Sequence, residues 1–157
     1  MKIELWSIGK TKADYLKEGI DLYTSRLKHY TNFELRAFDD VKNASKLSVE
    51  LLKEKEAKMI IEKLPSDASL ILLDEQGKML HSVGFSKFLG DHMNYSGKPM
   101  IFLVGGAFGF HSSLYSKADH KISLSKMTFS HQMVRLFFVE QLYRAFTILN
   151  NEKYHNQ

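Results

Sequence analysis

The chain has 157 residues, 44% hydrophobic and 25% charged, with 22 Lys and Arg against 18 Asp and Glu for a formal charge of +4. That length suits one hydrophobic core, so residues 1–157 are expected to form a single domain. The absence of cysteine excludes disulfides and thiolate metal sites. No apolar run approaches the ~18 residues of a bilayer span, and Glu4 and Gly9 break any signal-like core in MKIELWSIGKTK, so a cytoplasmic location is expected.

Lys2 to Ile8 predicts a strand from its branched and aromatic residues, closed by Gly9. Asp14 to Tyr30 carries Tyr15, Leu16, Ile20, Tyr23 and Leu27 at helical spacing. Phe33 to Phe38 alternates as a half-buried strand that Asp39-Asp40 ends. A helix capped by Ser45 or Ser48 runs to Leu64, with Leu51, Leu52, Met59, Ile60 and Leu64 inward, and Pro65 stops it. Ser69 to Asp74 is a short apolar strand of the kind buried on both faces, and Gln76-Gly77-Lys78 turns the chain. Ser82 opens a helix through Phe85, Phe88, Leu89 and Met93, ended by the Asn94–Gly97 turn. Met100 to Val104 is a second buried strand, followed by GGAFG from Gly105 to Gly109. A short helix from His111 to Lys117 and a strand from Lys121 to Leu124 complete the alternation. The order predicts an α/β fold with a mostly parallel sheet flanked by helices.

The chain is organised around its last long stretch, LSKMTFSHQMVRLFFVEQLYRAFTIL from Leu124 to Leu149. A polar loop passes directly into a helix, with the Ser130 or Thr128 hydroxyl able to accept an unpaired N–H at its start. Apolar residues cover most of that helix, which predicts burial against its own sheet and against a second subunit. His131 and Arg135 share one polar strip, and Glu140, Arg144 and Thr147 another. In open parallel sheets, ligands bind beyond the carboxyl ends of the strands, where Leu73-Asp74, Gly105-Gly106 and Leu124–Phe129 meet. GGAFG is neither a dinucleotide fingerprint nor a phosphate loop. A bland turn and close backbone approach to a ligand both fit it. His131 with Arg135 fits either a satisfied surface pair or a substrate site. Arg144 fits either a pair with Glu140 or a phosphate fork, and Lys126 is a point charge that also suits phosphate. The seven histidines show no metal-ligand spacing, so no metal is expected. Read alone, the polar tail NNEKYHNQ is a disordered end.

LSKMTFSHQMVR followed by EQLYRAF, together with MKIELWSIGK, LDEQGK, LVGGAFGF and the terminal KYH, resembles the bacterial 23S rRNA (pseudouridine-N3) methyltransferases of the SPOUT class. The resemblance spans essentially the whole chain. It departs at Ser130, where the family usually has Pro, so the corner between loop and helix is expected to be less rigid. The resemblance implies a SPOUT fold with a deep carboxyl-terminal trefoil knot, which periodicity does not reveal. It implies S-adenosylmethionine as cofactor, held by Leu73, Gly105, Leu124, Ser125, Lys126, Met127, Thr128 and Phe129. The implied reaction is methylation of N3 of pseudouridine 1915 in 23S rRNA, by a homodimer acting on the ribosome. The resemblance also puts Tyr154 and His155 in the active site. With His131 they are the candidates to take the N3 proton, and Arg135 and Arg144 are the candidates to hold the RNA backbone. A SPOUT enzyme acting on tRNA and a non-catalytic nucleotide- or RNA-binding α/β module are the other readings.

Overall fold

The two wholly apolar segments fall in the middle of the sheet, as their lack of polar alternation requires. β4 (Met100–Val104), buried at every residue, lies between β1 (Lys2–Ile8) and β3 (Ser69–Met79). β2 (Asn32–Phe38) and β5 (His120–Ser123) form the edges, giving the order β2-β1-β4-β3-β5 with every pair parallel. This computed structural model describes residues 1–156. Alternate side chains of each strand feed two cores, because the strand period is two. On one face Ile3, Leu5, Ile71 and Phe102 meet α1 (Asp14–Leu27), α3 (Ser82–Tyr95) and α5 (Met133–Leu149). On the other, Trp6, Ile8, Leu72 and Leu103 meet α2 (Val49–Lys63) and α4 (Ser112–Lys117). No helix among the described residues is long and apolar enough to cross a membrane.

Two local expectations need correction. β3 does not stop at Asp74 but continues to Met79. Its register against β5 jumps, so that both Leu73 and Lys78 pair with Ile122 and the intervening residues bulge outward. Gly77 makes the return possible, since a Cβ there would stand 2.6 Å from the Ile122 backbone nitrogen. The long inward stripe expected of α2 is narrow: only Ala57 and Ile60 are buried, while Leu51 is exposed. Ser48, one of the two proposed caps, accepts the Leu51 N–H at 3.2 Å. At α5, the Ser130 hydroxyl accepts the N–H groups of Gln132 and Met133 at 3.2 and 3.3 Å. It thus satisfies the helix start, while the Thr128 hydroxyl is spent elsewhere, on Glu75.

α5 is more one-sided than its composition suggests. Phe138, Val139, Leu142, Ala145 and Phe146 are buried within the protomer, whereas Phe137 and Leu149 stay more than a third exposed. α1 lies against α5 closely enough that a Cβ at Gly19 would meet the Leu136 side chain at 2.8 Å. Together the two helices leave Tyr15, Leu22, Phe137 and Leu149 facing outward.

Candidate active site

A cavity of about 610 Å³ opens where β4 and β5 end and β3 bulges away from the sheet after Leu73. The sheet topology forces this: three parallel strands part from one another at the same edge, and the segments that follow diverge there. Leu73–Gln76, Val104–Phe110, Ser123–Ser125 and Met127–Phe129 line the cavity. All the cofactor candidates read from the sequence are among these residues except Lys126, whose side chain is exposed outside it.

The β5–α5 loop is held by its own short polar residues. The Ser123 hydroxyl donates to the Ser125 carbonyl at 2.7 Å, and the Ser125 hydroxyl accepts the Met127 N–H at 3.0 Å. The Thr128 hydroxyl donates to Glu75 at 2.8 Å, tying the wall after β3 to the wall after β5. Asp74 accepts the Gln76 N–H at 2.9 Å and the Tyr115 hydroxyl. Burial, and then that bond to Asp74, push the Tyr115 phenol far up, so it stays a donor.

The glycines of the third wall are dictated by protein neighbours. A Cβ at Gly105 would press on the Phe110 ring at 3.2 Å, and one at Gly106 would meet the Glu56 carboxylate at 2.8 Å. Gly109 adopts φ 77°, which lets the turn close through the Gly106–Gly109 bridge. Glu56 itself has its carboxyl raised by burial and, secondarily, by Asp40.

The pocket suits an adenosyl group with a cationic tail. Leu73, Leu124, Met127 and Phe129 supply apolar walls, and the folded-back β5–α5 loop borders the cavity. Its charged lining is Asp74 and Glu75 against Lys53, in a chain whose net charge is positive.

His131 sits at the rim of this pocket. Burial, then the nearby Arg135, lower its pKa, with Asp40 opposing, so the ring is neutral at pH 7. Arg135 is not the solvent-facing fork that its polar strip suggested. It is 3% exposed, and its guanidinium donates to the carbonyls of Ile8, Gly9 and His131 at 2.9, 3.0 and 3.1 Å and to the Thr11 hydroxyl at 3.1 Å. Those bonds satisfy the carboxyl end of β1 and fix the start of α5. With four of its five N–H groups so engaged and its side chain buried, Arg135 has no two-pronged fork to offer an RNA phosphate.

Arg144, Tyr154 and His155 form a second cluster. Glu140 Oε1 accepts from Arg144 Nε at 3.1 Å, from Arg144 Nη2 at 2.5 Å and from the Tyr154 hydroxyl at 3.0 Å. The Tyr154 and Tyr23 hydroxyls are 3.2 Å apart, and the Arg144 guanidinium lies 4.7 Å over the Tyr154 ring. Arg144 Nη1 is 3.4 Å from His155 Nδ1. Tyr30 adds a 2.7 Å bond to Glu152. The tail is therefore docked on α1 and α5, contrary to the disorder its composition predicted. Burial, Tyr23 and Glu140 push the Tyr154 phenol far up, which makes it a hydrogen-bond donor and a poor base.

Within one protomer the two clusters are apart. At ~1.5 Å of rise per residue, Arg144 lies about 20 Å along α5 from His131. Sequence reasoning missed Tyr23, Tyr115 and Glu75 as parts of these clusters. No local pattern marks them, because their partners come from distant elements. Among the described residues, no group of three His, Asp or Glu side chains could hold a metal ion.

Residues 1–155 match the family described as "Predicted SPOUT methyltransferase". The chain is 54% identical over 157 residues, the full length of both, to the ribosomal RNA large subunit methyltransferase H of Flavobacterium johnsoniae. It is 51% identical over 156 residues to the protein of the same name from Cytophaga hutchinsonii, covering 99% of this chain and 100% of that one. A solved probable methylase family protein from Haemophilus influenzae shares the fold, with a TM-score of 0.54 at 13% identity over 99% of this chain and 70% of its own.

Proposed function

The chain belongs to the SPOUT methyltransferase family, and we propose that it transfers a methyl group from S-adenosylmethionine to N3 of pseudouridine 1915 in large-subunit ribosomal RNA. One observation carries the reading. The segments through which the resemblance holds the cofactor, Leu73, Gly105 and Leu124–Phe129, converge on a single cavity of the right size and chemistry. Relatives named as ribosomal RNA large subunit methyltransferases match the chain end to end. A single domain carries the activity, with the family's trefoil knot at its carboxyl end, and its substrate puts it in the bacterial cytoplasm.

The sulfonium of the bound cofactor supplies an activated methyl group. What the chain must add is alignment and an exit for the N3 proton. The apolar walls and the self-bonded β5–α5 loop orient the donor. His131, neutral at the pocket rim, is the group best able to accept the proton. Tyr154 serves as a donor that orients the base, and Arg144 and His155 beside it meet the RNA.

A second copy of the chain supports this arrangement. The exposed apolar side chains Tyr15, Leu22, Phe137 and Leu149 on α1 and α5 are available for burial in a two-fold dimer. Antiparallel pairing of α5 helices spans the ~20 Å between pocket and tail cluster, so the tail of one protomer completes the pocket of the other. The test is incorporation of labelled methyl from S-adenosylmethionine into ribosomes lacking the modification, with tRNA and free rRNA in parallel. Label in the ribosomes is expected. Label in tRNA alone, or in nothing, overturns the reading.

A further inference from the structure

The segment that follows the apolar part of β3 has two faces of opposite charge. On one, Asp74 and Glu75 line the cofactor pocket and are hydrogen-bonded across it to Tyr115 and Thr128. On the other, a groove of about 600 Å³ runs along the outer edge of β5, between residues 76–78 and α3. The two concavities meet at Gln76, which lines both.

The groove carries Lys78, Lys87, His120 and Lys121 against Asp91 and Asp119. Both acids are already engaged. Asp91 is paired with Lys87 at 3.0 Å, and Asp119 accepts the Leu70 N–H at 2.9 Å. Neither Lys78 nor Lys121 has a carboxylate partner among the described residues; the Lys121 ammonium instead lies 5.4 Å over the Tyr115 ring. Phe88 and His120, which also line the groove, pack edge to face at 5.2 Å. Unpaired cations and an aromatic wall are the combination that holds a single-stranded sugar-phosphate chain.

Electrostatics decides which concavity takes which partner. A phosphate is repelled from Asp74 and Glu75, and drawn to the groove one residue further along. We infer that the β5-edge groove holds the sugar-phosphate backbone of the substrate RNA next to the base that enters the pocket. The identity of that RNA rests on the reading above, whereas the binding itself does not.

The experiment uses the full chain with Lys78→Glu and Lys121→Glu combined. A second pair of equal charge change, Lys58→Glu with Lys63→Glu on exposed α2, controls for net charge. Three quantities are read: anisotropy with a fluorescein-labelled 15-nucleotide oligouridine at several salt concentrations, calorimetry with S-adenosylmethionine, and methyl transfer to unmodified ribosomes. The groove pair should weaken oligouridine binding by ~10-fold or more and reduce the salt slope by ~1.4, as expected for two lost single-strand phosphate contacts. Cofactor affinity should stay within about twofold, showing that the pocket is intact. The α2 pair should change none of these.

Parental oligouridine affinity in the groove pair overturns the inference, as does an equal loss in the α2 pair or a parent that fails to bind the oligonucleotide at low salt. Parental oligouridine affinity with a raised KM for ribosomes would assign the face to a ribosomal protein, and also overturns it. A parent that binds oligouridine through the groove but methylates no ribosome leaves this inference standing and removes the rRNA methyltransferase reading.

Discussion

The cofactor pocket and the tail cluster are built in opposite ways. The pocket is made largely of backbone: two strand ends, the bulge of β3, a glycine turn and a loop bonded to itself, with few side chains that reach across it. Its shape follows from sheet topology and survives most changes of side chain. The tail cluster is made of side chains on one helix and an otherwise polar end, joined through a single carboxylate, Glu140. Its position depends on a few charged hydrogen bonds, each stronger than a neutral one but individually removable. One region is therefore robust, which suits the binding role proposed for it; the other is adjustable, which suits the proposed role in alignment.

The largest expected effect comes from removing the tail alone. Deleting residues 153–157 takes away Tyr154 and His155, and should lower turnover on ribosomes by about a hundredfold or more, since misplacement of ~1 Å at a reacting centre already has that effect. Cofactor affinity by calorimetry should stay within about twofold. A parallel loss of cofactor binding would mean that the two regions are not separable. Glu140→Gln is the milder form of the same test, and should lower kcat while leaving the cofactor Kd unchanged.

Gly105→Val attacks the other side of the comparison. Its side chain has to displace the Phe110 ring, 3.2 Å from the added Cβ, and overpacking of this sort costs ~1–3 kcal/mol. Cofactor affinity should fall by roughly tenfold or more, with the circular dichroism spectrum retained. An unchanged Kd would take Gly105 out of the pocket.

Assembly connects the two regions. Phe138 and Leu142 are wholly buried in the protomer, so charging them unfolds the chain and says nothing about a dimer. Phe137→Glu with Leu22→Glu changes the exposed face instead. Light scattering should show a dimeric parent and a monomeric variant that binds cofactor but turns over slowly. A monomeric parent at micromolar concentration would break the proposed completion of one pocket by the other tail.

The smallest effect is in pH. Because the folded pKa of His131 lies below its ordinary value of 6.5, the unfolded chain binds the extra proton first. This contribution to stability is complete above pH ~6.5 and is lost as pH falls toward the folded pKa. If His131 accepts the N3 proton, kcat/KM should rise with pH through an apparent pKa below 6.5. His131→Gln should flatten both profiles. A variant with the parental rate profile would exclude His131 as the acceptor.

Much of this was legible because it is local. The strand at Lys2–Ile8, the strand at Met100–Val104 and the helix at Ser82–Tyr95 follow from neighbours at two or four residues, and they appear where the pattern puts them. The three loop segments of the pocket were also readable, since strand order and direction leave few places for a ligand. Arg135 was not readable. Its i, i+4 relation to His131 suggested a free strip, but its guanidinium binds carbonyls 126 and 127 residues away. Tyr23 and Tyr154 meet across 131 residues, which turns an apparently disordered tail into a docked one.

The sequence by itself thus determined most of the secondary structure, the parallel sheet and the segments that meet at the cavity. These depend on backbone periodicity, glycine conformation and the burial demanded by apolar runs. Tertiary structure alone decided the second pairing of Ile122, the burial of Arg135, and the separation of pocket from tail along α5. Each of these arises where segments distant in the chain satisfy one another's polar or backbone groups. A local pattern carries no information about which distant carbonyl, hydroxyl or strand edge will be there to meet it.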